Sequence, residues 1–130
     1  MDDLVAFLTA RVNQRQAMIM QAVQKARIGE RLSYGEAKVA IEQRVHSLDD
    51  DELDVVNRMV RETEATQGIL QEHRTTTADR VPGFPSHGSE YWCVTCHVPA
   101  DEAGTNWCRT LRLLALPYSD HPEYRESWRP

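Results

Sequence analysis

The tightest constraint on this chain is where its sulfur lies. All three cysteines, Cys93, Cys96 and Cys108, fall within sixteen positions of a 130-residue sequence. Cys93-Val94-Thr95-Cys96 sets two thiols on one tight turn, a spacing that suits tetrahedral zinc. Cys108 follows after eleven residues and adds a third. Three cysteines cannot all pair with one another, and a reducing compartment disfavours disulfides in any case. The pattern predicts thiolates on a metal ion, with zinc expected and iron the alternative that soft thiolate sites also accept. Two rival readings stay open. The cysteines could be small buried hydrophobes, or Cys93 and Cys96 a redox pair, although no thioredoxin-like βαβ context is visible.

A fourth ligand must come from five histidines. His73 sits where a long helix is expected to end and can point toward the turn. His87 precedes Cys93 by six residues. His97 adjoins Cys96, and adjacent residues rarely ligate one ion without strain. His121 and His46 lie in the tail and near the end of the second helix. The order of preference is His73, His87, His97, His121, His46, with His73 and His87 both left standing. A Cys3His sphere is closed and therefore structural, since no position remains for a reactive water. Were the fourth position open, Glu90 and Glu102 would be the acidic candidates for a general base. The His-x-Glu…Pro-Cys-x-x-Cys arrangement of nucleoside deaminases is missing, because Trp92 stands where that pattern has proline. Phosphate loops, dinucleotide-binding glycine motifs and nucleophile elbows are also missing from the sequence. No enzymatic activity is expected; a zinc- or thiol-dependent enzyme is the second alternative.

Composition sets the remaining bounds. The net charge is −5. Residues 1–75 carry ten Lys+Arg against thirteen Asp+Glu, and residues 76–130 five against seven. Neither part offers the positive field that nonspecific nucleic-acid binding uses. Arg109 and Arg112 are expected to neutralise the thiolate cluster, with phosphate contact the rival role. No apolar run approaches the ~20 residues that span a bilayer. The start Met1-Asp2-Asp3-Leu4 is acidic where a signal peptide is basic, so a cytoplasmic protein is expected.

Apolar residues at Leu4, Phe7, Leu8, Val12, Ile19, Val23 and Ala26 recur at helical spacing and predict a helix over 3–28, capped by Asp2 or Asp3 and stopped near Gly29. Its length of about 39 Å, at ~1.5 Å per residue, suggests pairing with a second copy. Ser33-Tyr34-Gly35-Glu36 is a capping-box pattern and predicts a helix over 34–48, with Ala37, Ile41, Val45 and Leu48 inward. Asp49-Asp50-Asp51-Glu52 opens a third helix ending near His73 or Arg74. Leu53, Val56, Val60 and Leu70 form its stripe, with Thr63 and Gln67 weaker members, and Gly68 invites fraying after residue 67. Prolines and glycines exclude a helix over 75–89, which reads as an ordered loop. Tyr91, Trp92 and Val94 have strand character, as one arm of a short hairpin. Thr105 or Asn106 would cap a fourth helix over 107–116, with Cys108 in its first turn and Pro117 as the stop. The tail 117–130 is expected to pack irregularly.

The C-terminal string from Cys108-Arg109-Thr110-Leu111-Arg112-Leu113-Leu114-Ala115-Leu116-Pro117-Tyr118 through Trp128-Arg129-Pro130 resembles an uncharacterised family of small actinobacterial, streptomycete-type proteins. Met1-Asp2-Asp3-Leu4-Val5-Ala6-Phe7-Leu8 is similar to the start of the same family. In that family the ending follows a Cys-x2-Cys pair, often preceded by a helix ending in Ile/Leu-x-x-His. Leu70-Gln71-Glu72-His73 fits that pattern, so the resemblance also favours His73. It covers about the first 12 residues and residues 69–130. The middle departs, since the family carries a strand-like segment where residues 13–68 read as helical. The resemblance implies no activity.

The sequence therefore predicts a mostly α-helical single domain, 1–130, with a helical part (1–74) and a zinc-knuckle part (75–130). His73, Cys93, Cys96 and Cys108 are the expected ligands. A protein-interaction or regulatory module is the expected role, with a nucleic-acid-binding zinc protein the first alternative.

Overall fold

The computed structural model describes residues 3–26, 31–44, 48–77, 91–96 and 107–130. The fold is mostly helical, with a long N-terminal helix α1 (Asp3–Ala26), then α2 (Tyr34–Glu42), α3 (Asp50–Glu72), strands β1 (Thr75–Thr77) and β2 (Tyr91–Cys93), and α4 (Arg109–Ala115). Two single-turn 3₁₀ helices, Leu116–Tyr118 and Glu126–Trp128, complete it. No described helix is long and apolar enough to cross a membrane. The chain forms two compact units, one of Met1–Ala10 with Gln67–Pro130, the other Arg11–Thr66.

In the unit formed by Arg11–Thr66, the core holds Ile19 and Val23 of α1, Ala37 and Ala40 of α2, and Val56 of α3. These are the spacings of amphipathic helices, one stripe each. The capping box forms as expected: Ser33 Oγ accepts from the Glu36 amide at 3.1 Å, and Glu36 Oε1 accepts from the Ser33 amide at 3.2 Å. The end of α2 differs from expectation. The helix stops at Glu42, not at 48, and Arg44 turns into the left-handed region with φ 56°. Its amide donates to the Ile41 carbonyl at 3.2 Å, closing the helix end as glycine more often does. Leu48 still packs on the same core, but from outside the helix. Val45 and His46 lie outside the described residues, as do the expected cap at Asp2 and stop at Gly29.

Helix α3 opens where its acidic run predicts. Asp49 Oδ1 accepts from the Glu52 amide at 2.8 Å, and that bond holds the Asp49 carboxyl below its usual range. The helix does not fray after residue 67. It runs to Glu72, and Ile69 and Leu70 are half-buried at its end. Thr63, expected to be a weak member of the stripe, is fully buried, while Gln67 is exposed.

In the other unit, Leu4, Phe7 and Leu8 of α1 pack with Cys93, Trp107, Cys108, Leu111, Ala115 and Trp128. The tail is more ordered than expected. Pro117 has no amide to continue the α-helix, so the chain passes into a 3₁₀ turn. Further i to i+3 bonds follow, His121 to Tyr118 at 2.9 Å, Tyr124 to His121 at 2.9 Å and Trp128 to Arg125 at 3.0 Å. These turns place an aromatic cluster around Phe7. Ring centroids lie 5.1 Å away for Trp128, 6.1 Å for Tyr118 and 6.2 Å for Tyr124. Offset and edge-on contacts of this kind stabilise beyond the area they bury.

Candidate metal centre

The sheet is what brings the distant ligand groups together. β1 and β2 pair antiparallel with Thr75 opposite Cys93, Thr76 opposite Trp92 and Thr77 opposite Tyr91. Hydrogen bonds continue past the strands toward α3. The Val94 amide donates to the Arg74 carbonyl at 3.1 Å, and the Thr95 hydroxyl donates to the Glu72 carbonyl. The turn bearing Cys93 and Cys96 is thereby laid along the last residues of α3, where His73 stands. Reading 75–89 as loop missed the first strand. Three consecutive threonines, β-branched and suited to strands, were the signal for it.

Cys93, Cys96 and Cys108 surround one ring nitrogen. His73 Nδ1 lies 3.5 Å from Cys93 Sγ, 3.3 Å from Cys96 Sγ and 3.7 Å from Cys108 Sγ. The four ligand atoms all lie within 4.8 Å of one another. A tetrahedron with zinc–nitrogen and zinc–sulfur bonds of about 2.0 and 2.3 Å has nitrogen–sulfur edges of about 3.5 Å. The three distances scatter around that value. This His/Cys3 group could hold a metal ion in the space between its atoms.

Local structure fixes each member. The Cys96 amide donates to Cys93 Sγ at 3.4 Å, folding the turn back on its first cysteine. Cys108 is the N-cap of α4, one position before the first turn in which it was expected. Cys93 and Cys108 are each 1% exposed and belong to the apolar core, whereas Cys96 is exposed. Without a metal, Cys96 and Cys108 are held neutral. Burial pushes Cys108 up to about 12, helped by the neighbouring sulfurs and opposed by the Leu111 amide. Burial and the adjacent Cys93 also raise Cys96, against the Thr110 hydroxyl and the Cys108 thiol, which favour its anion. A cation between the sulfurs would reverse this balance, since a coordinating thiol is deprotonated outright.

The other candidates fall elsewhere. His121 stacks edge-on against Phe7 with centroids 5.5 Å apart, and its Nδ1 accepts from the Glu123 amide at 3.1 Å. His46, His87, His97, Glu90, Glu102 and the expected caps Thr105 and Asn106 lie outside the described residues. Arg112, expected to neutralise the sulfurs, is hydrogen-bonded to main-chain carbonyls. Its Nε donates to the Trp107 carbonyl at 2.9 Å and one terminal nitrogen donates to the Arg129 carbonyl at 3.4 Å. It ties the start of α4 to the end of the chain. Arg109 is exposed.

The chain belongs to a family of unknown function, DUF6221. The family model matches residues 1–130. That match runs through residues 13–68, where resemblance was not legible, so the helical middle is part of what DUF6221 describes. No curated protein and no solved structure matches the chain. Membership in DUF6221 assigns no activity, and the chemistry rests on the four side chains themselves.

Proposed function

We propose that this protein binds one zinc ion through His73 Nδ1 and the thiolates of Cys93, Cys96 and Cys108, that the ion is structural, and that the chain acts as a protein-interaction or regulatory module in the cytoplasm. The observation that carries the reading is the set of three nitrogen–sulfur distances, 3.3, 3.5 and 3.7 Å, around a single imidazole nitrogen. Three thiolates and one imidazole are ligands zinc accepts in closed structural sites. Such an ion supplies a fixed cross-link and no open position for a substrate. Here the cross-link would join the end of α3, the turn after β2 and the start of α4. It would add to a small core that includes two of the ligands themselves. Small domains commonly need such a staple.

A regulatory or binding role is favoured over catalysis because the ligand set leaves no vacant coordination position. We further propose that members of DUF6221 are small actinobacterial proteins sharing the C-terminal signature of this chain. The test is metal content by mass spectrometry on purified full-length chain, with His73→Ala and His87→Ala alongside. One zinc ion per chain, weakened by His73→Ala and untouched by His87→Ala, is the expected result. Folded, metal-free protein after purification without chelators would remove the reading, and iron in place of zinc would correct it.

A further inference from the structure

The three sulfurs of the cluster are not equivalent. Cys93 and Cys108 are each 1% exposed, while Cys96 faces solvent. The Cys93 sulfur is further covered by the Cys96 amide at 3.4 Å. A small oxidant arriving from water therefore meets the Cys96 sulfur first, and thiolate character together with exposure is what selects a cysteine for oxidation. A resolving thiol is already in place. Cys93 lies on the same turn, with its sulfur no more than 4.8 Å from that of Cys96. A disulfide of about 2.0 Å is reached by closing the remaining gap, without recruiting a residue from another element.

We propose that Cys96 is a peroxide-reactive site whose oxidation to a Cys93–Cys96 disulfide releases the metal ion. The proposal rests on the zinc reading above. The Cys96 thiolate attacks one peroxide oxygen. A sulfur–oxygen bond forms, the oxygen–oxygen bond breaks, and the departing hydroxide takes a proton to become water. The Cys93 thiolate then attacks the Cys96 sulfenic acid. The sulfur–sulfur bond forms, the sulfur–oxygen bond breaks, and a second water leaves with a second proton. The two sulfurs together lose two electrons, and the peroxide gains them. Two of the four ligands are then gone. His73 and Cys108 remain, too few to retain the ion, and α4 is no longer cross-linked to the turn through it.

The experiment uses the zinc-loaded full chain and an excess of hydrogen peroxide. Released zinc is followed with a chromogenic chelator, and after alkylation the cysteine peptides are mapped by mass spectrometry. Zinc should leave in step with a Cys93–Cys96 disulfide, and dithiothreitol with added zinc should restore the starting state. Cys96→His keeps four ligand atoms but removes the exposed sulfur, and should release zinc at least about tenfold more slowly, the exposed thiolate being the reactive species. Where that variant does not load zinc, disulfide mapping on the unaltered chain decides alone. Zinc retained under peroxide that oxidises a free thiol control would overturn the proposal. So would a first disulfide involving Cys108, or equal release from Cys96→His. A chain that carries no zinc before peroxide is added fails the metal reading itself. One that carries zinc and keeps it fails only this inference.

Discussion

Cys108 holds three positions at once, and one substitution separates them. It is the N-cap of α4, a core residue 1% exposed, and a sulfur 3.7 Å from His73 Nδ1. Cys108→Ser nearly preserves volume and installs a preferred N-cap side chain. Its hydroxyl can accept an α4 amide, so the cost of burying it is offset. Metal-free protein should therefore change in stability by no more than about 1 kcal/mol. Metal binding should behave differently. Structural zinc contributes about 10–16 kcal/mol in small domains, so an equal share for one of four ligands is about 2.5–4 kcal/mol. At about 1.4 kcal/mol per decade, the dissociation constant should rise about 100- to 1000-fold. Zinc present at ~1000 times its dissociation constant stabilises the native chain by about 4 kcal/mol, and the variant should lose most of that. Chelator competition gives the affinity, and thermal melting with and without zinc gives the linked stability. Unchanged zinc affinity would refute the assignment of Cys108 as a ligand. Loss of the metal-free fold, with α4 ellipticity gone, would refute the claim that packing and ligation are separable there.

The metal-free, reduced protein should lose stability in alkali. Cys108 is raised when folded, so its contribution is complete below the ordinary thiol value of 9.0 and is lost as pH rises toward about 12; denaturant midpoints across that window check it. Zinc uptake at pH 7 should release at least the two protons held on Cys96 and Cys108, because both thiols are raised in the metal-free state. Calorimetry in buffers of different ionisation enthalpy counts them. Trp128→Ala removes a residue 2% exposed that packs on Phe7 and Tyr124, and should cost about 3–5 kcal/mol; a loss under 1 kcal/mol by denaturant titration would deny the aromatic cluster its role. Thr63 is fully buried, and its hydroxyl has no hydrogen-bond partner among the described residues. Thr63→Val should therefore stabilise by about 1 kcal/mol, read as a higher melting temperature.

Some features were legible because their causes are local. The capping box at Ser33 and Glu36 needs only its own four residues, and it forms as written. The apolar stripe of α1 and the acidic opening of α3 depend on helical period and on charge near an N-terminus, both properties of short segments. The features that were misread depend on distant partners. Helix α2 ends early at Glu42, its end closed by the left-handed turn at Arg44, a residue without glycine's freedom, and nothing local announces that stop. The end of α3 does not fray, since Leu70 packs against a core contributed by Leu4, Phe7 and Trp128. The hydrogen bonds of Arg112 to the Trp107 and Arg129 carbonyls likewise depend on where the chain returns after α4, which no local pattern gives.

For the candidate centre, the sequence alone determined the donor chemistry. Three thiols close in sequence, two of them on a Cys-x2-Cys turn, already specify a soft site. It could rank His73 but not place it, because a residue twenty positions before Cys93 has no fixed distance to it along a flexible chain. Tertiary structure decided that distance through one register. Thr75 pairs with Cys93, and the bonds from Val94 and Thr95 back to Arg74 and Glu72 carry the turn onto the end of α3. Only then does burial differ among three chemically identical thiols, leaving Cys93 and Cys108 in the core and Cys96 in water. Residue types set which atoms can bind a metal; the antiparallel pairing and the packing around it set which of those atoms meet and which one solvent can reach.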